Sequence, residues 1–311
     1  MNGIINIYKE AGYTSFDVVA KLRGILREKK IGHTGTLDPA ATGVLPVCIG
    51  NATKVCSLLT DKDKEYEAVL QLGLTTDTQD ATGQIKNDRR DLLDTLTEAR
   101  VREVIMSFVG DYEQIPPMYS ALKVGGKKLC DLAREGIEVE RKARTVHIFD
   151  IEIINMRLPF VTIRVHCSKG TYIRTLCDDI GSILGVGGLM KSLVRTRVSA
   201  FSIEQALTLT QVEEHRDKGT LKEILLPVDE VFCESPALHV TEQARKKLLN
   251  GNRLTTLDFA EAERMAEDGM LQTAGTEEKK FRVYDAAGTF FGVYGWDDQR
   301  KDFKSMKMFF D

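Results

Sequence analysis

Apolar residues recur along the chain in two rhythms, and each predicts an element. In TSFDVVAKLRGILR (14–27), Val18, Leu22, Ile25 and Leu26 share one helical stripe, with Thr14 or Ser15 as cap. VLPVCIG (44–50) is a short continuous apolar run, as a buried strand requires. EYEAVLQLG (65–73) alternates, with Tyr66, Ala68, Leu70 and Leu72 on one face. DTQDATG (77–83) has turn chemistry, and TLTEARVREVIMSFVG (95–110) reads as an amphipathic helix ended by Gly110. VTIRVHCS (161–168) alternates again, with Val161, Ile163, Val165 and Cys167 inward. TYIRTLCDDIGSILG (171–185) returns to the helical period, with Ile173, Leu176, Ile180 and Ile183 in its stripe and Gly185 as its stop.

These elements follow no regular β-α-β beat. The expected class is α+β, with a mixed, mostly antiparallel sheet flanked by helices. Residues 111–146 are polar and basic and predict a surface excursion. A boundary is expected near 226–236, after LLPVDEVFCESP. Beyond it, FRVYDAAGTFFGVYGW (281–296) predicts a hairpin about an Ala-Gly turn in a small β-rich C-terminal domain. The expected domains are 1–233, with 111–146 inserted, and 234–311.

Composition adds limits. A length of 311 residues suits two domains, and 42% hydrophobic with 29% charged residues suits a globular chain. No apolar run approaches the roughly 18 residues that span a bilayer. The opening MNGIINIYKEAGYTS lacks a basic flank followed by an apolar run, so no signal peptide is expected and a cytoplasmic location follows. None of Cys48, Cys56, Cys130, Cys167, Cys177 and Cys233 forms a C-x-x-C pair or sits at metal-ligand spacing from a histidine, which favours structural thiols and no metal site. GVGGLMKS (185–192) lacks the Gly-Lys step of a phosphate loop.

The net charge of −3 argues weakly against nucleic acid, but its distribution argues for it. Lys21, Arg23, Arg27, Lys29 and Lys30 form one basic cluster; Lys123, Lys127, Lys128, Arg134, Arg141, Lys142 and Arg144 a second; Arg195 and Arg197 a third. Acids gather elsewhere, notably at 257–268.

The candidate chemistry lies in GHTGTLDPAATGVLPVCIGNATK (32–54), whose single acid is Asp38, together with Tyr66 and Arg174. Each has a plain structural alternative. Asp38 before Pro39 could cap a turn, Tyr66 could be a core aromatic, and Arg174 could pair with Asp178 one helical turn on, worth about 0.3–0.5 kcal/mol.

Taken together, the stretch 32–54, DKEYEAVLQLGLTTDTQDATG, PPMYSALKVGGKKLCDLAREG, CSKGTYIRTLCDDIG and LVRTRVSAFSIEQAL through LLPVD resemble, in order, the bacterial tRNA pseudouridine-55 synthases. The resemblance covers residues 3–230. It implies the pseudouridine synthase fold and isomerisation of a uridine in the T-arm loop of tRNA, without a cofactor. It implies Asp38 as catalytic aspartate, Tyr66 as the residue stacking on the target base, and Arg174 as the partner of Asp38. It further implies substrate contacts from Lys9, His33, Lys54, Tyr172 and Leu193, with His33 entering the stack that the flipped uridine leaves. Residues 111–146 match an RNA-gripping insertion, and the C-terminal segment weakly resembles a PUA RNA-binding domain. One departure is KEAGYTS, where Glu10 replaces the family's proline.

The reaction breaks N1–C1′, turns the uracil and joins C5 to C1′. It needs a carboxylate aimed at the ribose, as nucleophile at C1′ or base at C2′. Arg174 is expected to hold Asp38 ionised, no second carboxylate is expected beside it, and Gly32, Gly35 and Gly43 are expected to let the backbone approach RNA. The partner expected is the T-arm stem-loop, with no membrane and no obligate protein partner, the chain acting as a monomer. The C-terminal unit is expected to be an accessory grip. Competing readings are a non-catalytic RNA-folding protein on the same scaffold, and a relative acting on another RNA.

Overall fold

A computed structural model of the chain describes residues 1–267, 271 and 279–310. Of the acidic run at 257–268, Asp268 lies outside the described residues.

The chain opens with β1 (Gly3–Lys9), α1 (Ser15–Leu26), β2 (Ile31–His33) and β3 (Thr42–Ile49). Thr14 caps α1 in a reciprocal capping box with Asp17, and Val18, Val19, Leu22, Ile25 and Leu26 are its buried stripe. Next come α2 (Cys56–Thr60), β4 (Lys64–Leu72), and the small hairpin of β5 (Leu74–Thr76) and β6 (Ile85–Asp88). α3 (Glu98–Met106) is shorter than its apolar pattern suggests. Thr97 caps it, residues 90–95 form a 3-10 turn, and Gly110 opens β7 (Gly110–Gln114) rather than ending the helix.

After β7 the chain forms β8 (Lys123–Val124), β9 (Lys127–Lys128) and α4 (Leu129–Arg134), then returns through β10 (Arg144–Arg157). β7 pairs with β10. The excursion therefore narrows to 115–143, because the ends expected to be surface are sheet. β11 (Phe160–Cys167), α5 (Ile173–Ile183), β12 (Gly188–Val198), β13 (Phe201–Ser202) and α6 (Leu209–Asp217) complete this part. In α5 the stripe stops at Ile180; Ile183 is exposed beside the Gly185 stop.

Among the described residues the main sheet has nine strands, in the order β1-β3-β12-β4-β11-β10-β7, with β2 on β3 and β13 on β12. Within this sheet, among the described residues, only β3 and β12 pair in parallel. One face packs under α3 and α5, burying Ala68, Leu70 and Leu72 of β4 with Val161, Ile163 and Val165 of β11. α1 and α6 cover β1 and β3 in a second core.

The C-terminal unit contains β14 (Ala237–His239), α7 (Arg245–Leu249), α8 (Ala262–Glu267), β15 (Lys280–Tyr284), β16 (Phe290–Asp297) and β17 (Asp302–Met308), in the sheet order β14-β15-β16-β17. The predicted hairpin is β15–β16. This unit has its own core around Phe259, Phe281 and Phe303. It also shares one: Val293 and Phe309 are buried with Ile4, Val44, Cys48, Val55 and Val228. The Asn51 side-chain amide donates to the Phe309 carbonyl at 3.1 Å and Lys54 Nζ to the Met308 carbonyl at 2.8 Å. Tyr284 donates to Asp229 at 2.8 Å, and Arg282 to the Ser235 carbonyl at 2.9 Å. No described helix is long and apolar enough to cross a membrane.

The unit is therefore packed into the first part of the chain, not appended to it. Phe309→Ala should destabilise the full-length protein by about 3 kcal/mol, in the range for a buried aromatic, measured by denaturant unfolding. A loss below about 0.5 kcal/mol, the usual size of a surface effect, would show that the shared core does not contribute.

Candidate active site

Asp38 sits between two apolar anchors. Leu37 and Ala41 are buried in the core that holds Tyr66 and Leu193, and the loop between them turns on an Ala41 N–H to Asp38 carbonyl bond of 3.1 Å. The KEAGYTS segment braces this loop from beneath. Ser15 Oγ accepts from the Leu37 N–H at 2.9 Å, and the Gly12 N–H donates to the Pro39 carbonyl at 2.9 Å. Lys9 Nζ donates to the carbonyls of Tyr13 (2.6 Å), Glu10 (3.1 Å) and Pro39 (3.2 Å). Glu10 thus joins the brace through its backbone, which a proline in its place would also supply.

Arg174, buried at the start of α5, faces the loop. Its Nε lies 3.0 Å from Asp38 Oδ2, and Nη2 donates to Asp38 Oδ1 at 3.3 Å. The same guanidinium donates to the carbonyls of Tyr119 (2.9 Å) and Thr78 (3.2 Å), and Nη1 lies 3.7 Å from Asp80 Oδ2. Asp178 does not pair with Arg174; it accepts from Gln79 Nε2 at 3.0 Å. The plain helix-pair explanation of Arg174 therefore fails.

Asp80 was not anticipated. It is buried in the 77–83 turn, where its Oδ1 accepts from the Thr78 and Thr82 hydroxyls and the Thr82 N–H. The signal available was an acid inside a turn of threonines, indistinguishable from ordinary turn chemistry. Its charge matters to Asp38. Burial pushes the Asp38 carboxyl above the usual carboxylate range, Arg174 pulls it back, and Asp80 adds to the rise. Arg174 thus opposes the shift without winning it, contrary to the expectation from one opposite charge. Asp38 keeps 36% of its side chain exposed, so it remains reachable.

Tyr66 on β4 and Leu193 on β12 point to the same buried face, two register steps apart. Tyr172 precedes α5; its N–H donates to Gln114 Oε1 at 2.8 Å and its carbonyl accepts from Gln114 Nε2 at 3.0 Å, which fixes the entry to the helix. Burial pushes its phenol above the usual range, while the Arg144 and Arg174 charges oppose the rise. Lys9 lies under the loop, and burial holds its ammonium down to about 8. His33 ends β2, half-buried, and the Gly35 N–H donates to its Nδ1 at 3.3 Å. Burial, then the Arg195 charge, lowers its pKa and favours the neutral ring. Lys54 is not brought to Asp38; it is spent on the Met308 carbonyl of β17.

The glycines also serve a different neighbour from the one expected. A Cβ on Gly43 would lie 2.2 Å from the Arg195 carbonyl, so this glycine admits the β12 backbone. Gly32 and Gly35 face Cys56 and Arg195. Arg195 itself is buried, and the half-exposed Arg197 pairs with Asp63 at 3.1 Å, so the third basic cluster offers no free pair of surface cations. The first cluster is exposed: Phe16, Arg23, Lys29, Lys30 and His33 line one groove. In the second, Lys123, Lys128, Lys142 and Arg144 are exposed.

Residues 23–173 match the model described as "TruB family pseudouridylate synthase (N terminal domain)", and residues 174–232 match "tRNA pseudouridylate synthase B C-terminal domain". A protein of Lachnoclostridium phytofermentans called tRNA pseudouridine synthase B is 52% identical, with 99% of this chain and 100% of that protein aligned.

The chain belongs to the TruB family of pseudouridylate synthases.

A second member, tRNA pseudouridine synthase B of Clostridium kluyveri, is 42% identical over 99% of this chain and 100% of its own. Among solved structures, a chain of a Cbf5-Nop10-Gar1 complex superposes with a TM-score of 0.71 at 26% identity, covering 99% of this chain and 85% of that one. The expected fold class, a mixed, mostly antiparallel sheet with a small β-rich C-terminal unit, is thus the TruB family's.

A carboxyl whose folded pKa lies above its unfolded one stabilises the fold when protonated; that contribution is present at low pH and lost as pH rises through the folded value. Asp38→Asn, uncharged throughout, should therefore melt no lower than the parent at pH 7, and the difference should shrink toward pH 4. Thermal melts across that range check this; a lower melting temperature at pH 7 would mean that the Arg174 pair outweighs burial. Separately, Arg174→Lys should lose about 100-fold or more in turnover, because a point charge cannot serve Asp38, Thr78 and Tyr119 at once, whereas Asp178→Asn should stay within about threefold. Equal losses would return Arg174 to the helix-pair role.

Proposed function

We propose that the chain converts uridine 55 in the T-arm loop of tRNA to pseudouridine, with Asp38 acting on the ribose. The observation that carries this reading is the Asp38–Arg174 pair at 3.0 Å, held at the rim of a core that also presents Tyr66 and Leu193. Membership of the TruB family supports the isomerisation of uridine in tRNA.

The residues divide the work as follows. Asp38 serves as nucleophile at C1′ or base at C2′, and Arg174 positions it with both of its edges occupied. Tyr66 and Leu193 sandwich the flipped uracil. Extrusion costs a few kcal/mol, and stacking on Tyr66, with His33 entering the vacated position, returns about 1–3 kcal/mol per contact. Lys9 acts through the Pro39 and Tyr13 carbonyls, as a brace of the loop. Tyr172 sets the start of α5 and borders the pocket. Lys54 joins the C-terminal unit to the 50–55 turn instead of contacting substrate.

The exposed cations at Arg23, Lys29 and Lys30, with those at Lys123, Lys128, Lys142 and Arg144, suit phosphate contacts that position the T-arm without reading sequence. The shape of the loop then supplies selectivity. We assign residues 1–233 to the catalytic domain, 115–143 within it to the RNA-gripping insertion, and 234–311 to a PUA-type unit. The chain acts as a monomer in the cytoplasm.

The test is a nucleoside digest of unmodified tRNA transcript incubated with the protein in EDTA. Pseudouridine should appear at one position, and a T-arm stem-loop should serve as substrate. Asp38→Asn should give no product while binding tRNA with a Kd within about threefold of the parent. Product formation by Asp38→Asn, or a strict need for added metal, would remove Asp38 from its assigned role or the reaction from this class.

A further inference from the structure

Arg195 heads the fully enclosed side chains of the described residues, at 1% exposure. Its Nε donates to the Val44 carbonyl at 2.7 Å and Nη2 to the Gly35 carbonyl at 3.2 Å. No carboxylate pairs with it among the described residues; the side chain that bears on its charge is the Tyr66 phenol. Burying a cation without a counter-charge is costly, and such a group is retained where it performs a task. Holding two carbonyls explains part of the guanidinium's capacity but leaves the charge without a purpose.

Sheet register suggests the purpose. Arg195 on β12 lies directly opposite Tyr66 on β4. Both side chains are buried, at 1% and 8% exposure, on the face that carries Leu193 and Ala68. Directly opposed residues on one face stand within side-chain reach of each other. That places the phenol beside the guanidinium. A guanidinium can only donate, so where the two meet the Tyr66 oxygen must accept, and its own proton then points away from Arg195. The charges of Asp38 and Cys167 also bear on Tyr66, and the Arg195 charge bears on Lys9, His33 and Lys64.

We propose that Arg195 is a positioning residue for the isomerisation: its guanidinium donates to the Tyr66 hydroxyl oxygen, fixes the ring, and turns the phenolic proton toward the bound uracil. The same side chain grips Gly35, three residues before Asp38, so one buried cation sets the ring and the acid loop together. The inference rests on the reading of Tyr66 as the residue that meets the target base.

The contact can be read from each partner in the free, full-length protein by NMR. In Tyr66→Phe, which deletes one oxygen, the Arg195 guanidinium 15N signals should move from their parent positions. In Arg195→Lys, which keeps a cation but not the planar fork, the Tyr66 13Cζ signal should move. Turnover of Arg195→Lys at saturating tRNA should then fall about tenfold or more, with KM within about threefold. Arg195 signals unchanged in Tyr66→Phe would overturn the proposal whether or not Arg195→Lys folds. Lost turnover with an unmoved Tyr66 signal would overturn it too, since Arg195 would then act only by holding Val44 and Gly35. If the parent makes no pseudouridine, the assigned function fails while the NMR outcome still decides the contact.

Discussion

The Arg174 guanidinium is the point on which the site depends, because three separate stretches of chain end on it. The 32–54 loop brings Asp38, the 77–83 turn brings Thr78 and Asp80, and the base of the insertion brings the Tyr119 carbonyl. None of these stretches is regular structure at its point of contact. Each gains a fixed position from a planar fork that must satisfy its donors in one geometry. The helix that carries the fork is itself fixed, since Ile173, Leu176 and Ile180 lock α5 into the main core. Order therefore runs outward, from packed helix to guanidinium to loops.

This arrangement concentrates buried charge. Lys9, Lys64, Arg174 and Arg195 are all buried, and the charges of Arg174 and Lys9 bear on the Asp38 carboxylate. Burial holds Lys64, like Lys9, down to about 8. A core built for stability would replace such groups with apolar ones. The cations are satisfied largely by carbonyls instead: Lys64 by those of Thr60 and Lys62 at 2.6 Å each, Lys9 by Tyr13 and Pro39, Arg195 by Val44 and Gly35. The bonds to Tyr13, Pro39 and Gly35 fix loop backbone, so these charges help shape the rim where Asp38 stands. The raised Asp38 carboxyl is the counterpart of the same burial, in a site arranged for a reaction rather than for the resting fold.

Much of this was legible in the sequence. Alternation placed Tyr66 and Ala68 on one face because a strand with one buried face leaves no other register. The helical stripe of α5 placed Arg174 at its start, and order along the chain placed the Asp38 loop before a buried strand. What stayed hidden are facts of pairing between distant strands. Arg195 looked like a surface cation because an arginine in an alternating strand carries no mark of being inside. Gly43 looked like a concession to a ligand, when its neighbour is the parallel backbone of β12. The partners of Asp80 and Lys54 stay hidden for the same reason: a short polar segment does not disclose which remote group it meets. The excursion is shorter than its composition suggests because β7 is an edge strand, polar on its open face and so similar in composition to a loop.

The shared core changes what the C-terminal unit can be. Cys48 and Val44 of β3 pack against the same cluster as Phe309, and β3 leaves the Asp38 loop at Thr42. On its other side β3 takes β1, whose last residue is the Lys9 that braces Pro39. Gly43, on the same strand, is where β12 approaches and delivers Arg195. One strand thus stands between the terminal sheet and several of the elements that shape the acid loop. A unit attached only as a grip for RNA would be joined by a linker and a polar contact. Here it closes the apolar side of the strand from which the active-site loop emerges, and so the stability of that loop and the presence of the terminal unit are a single packing problem.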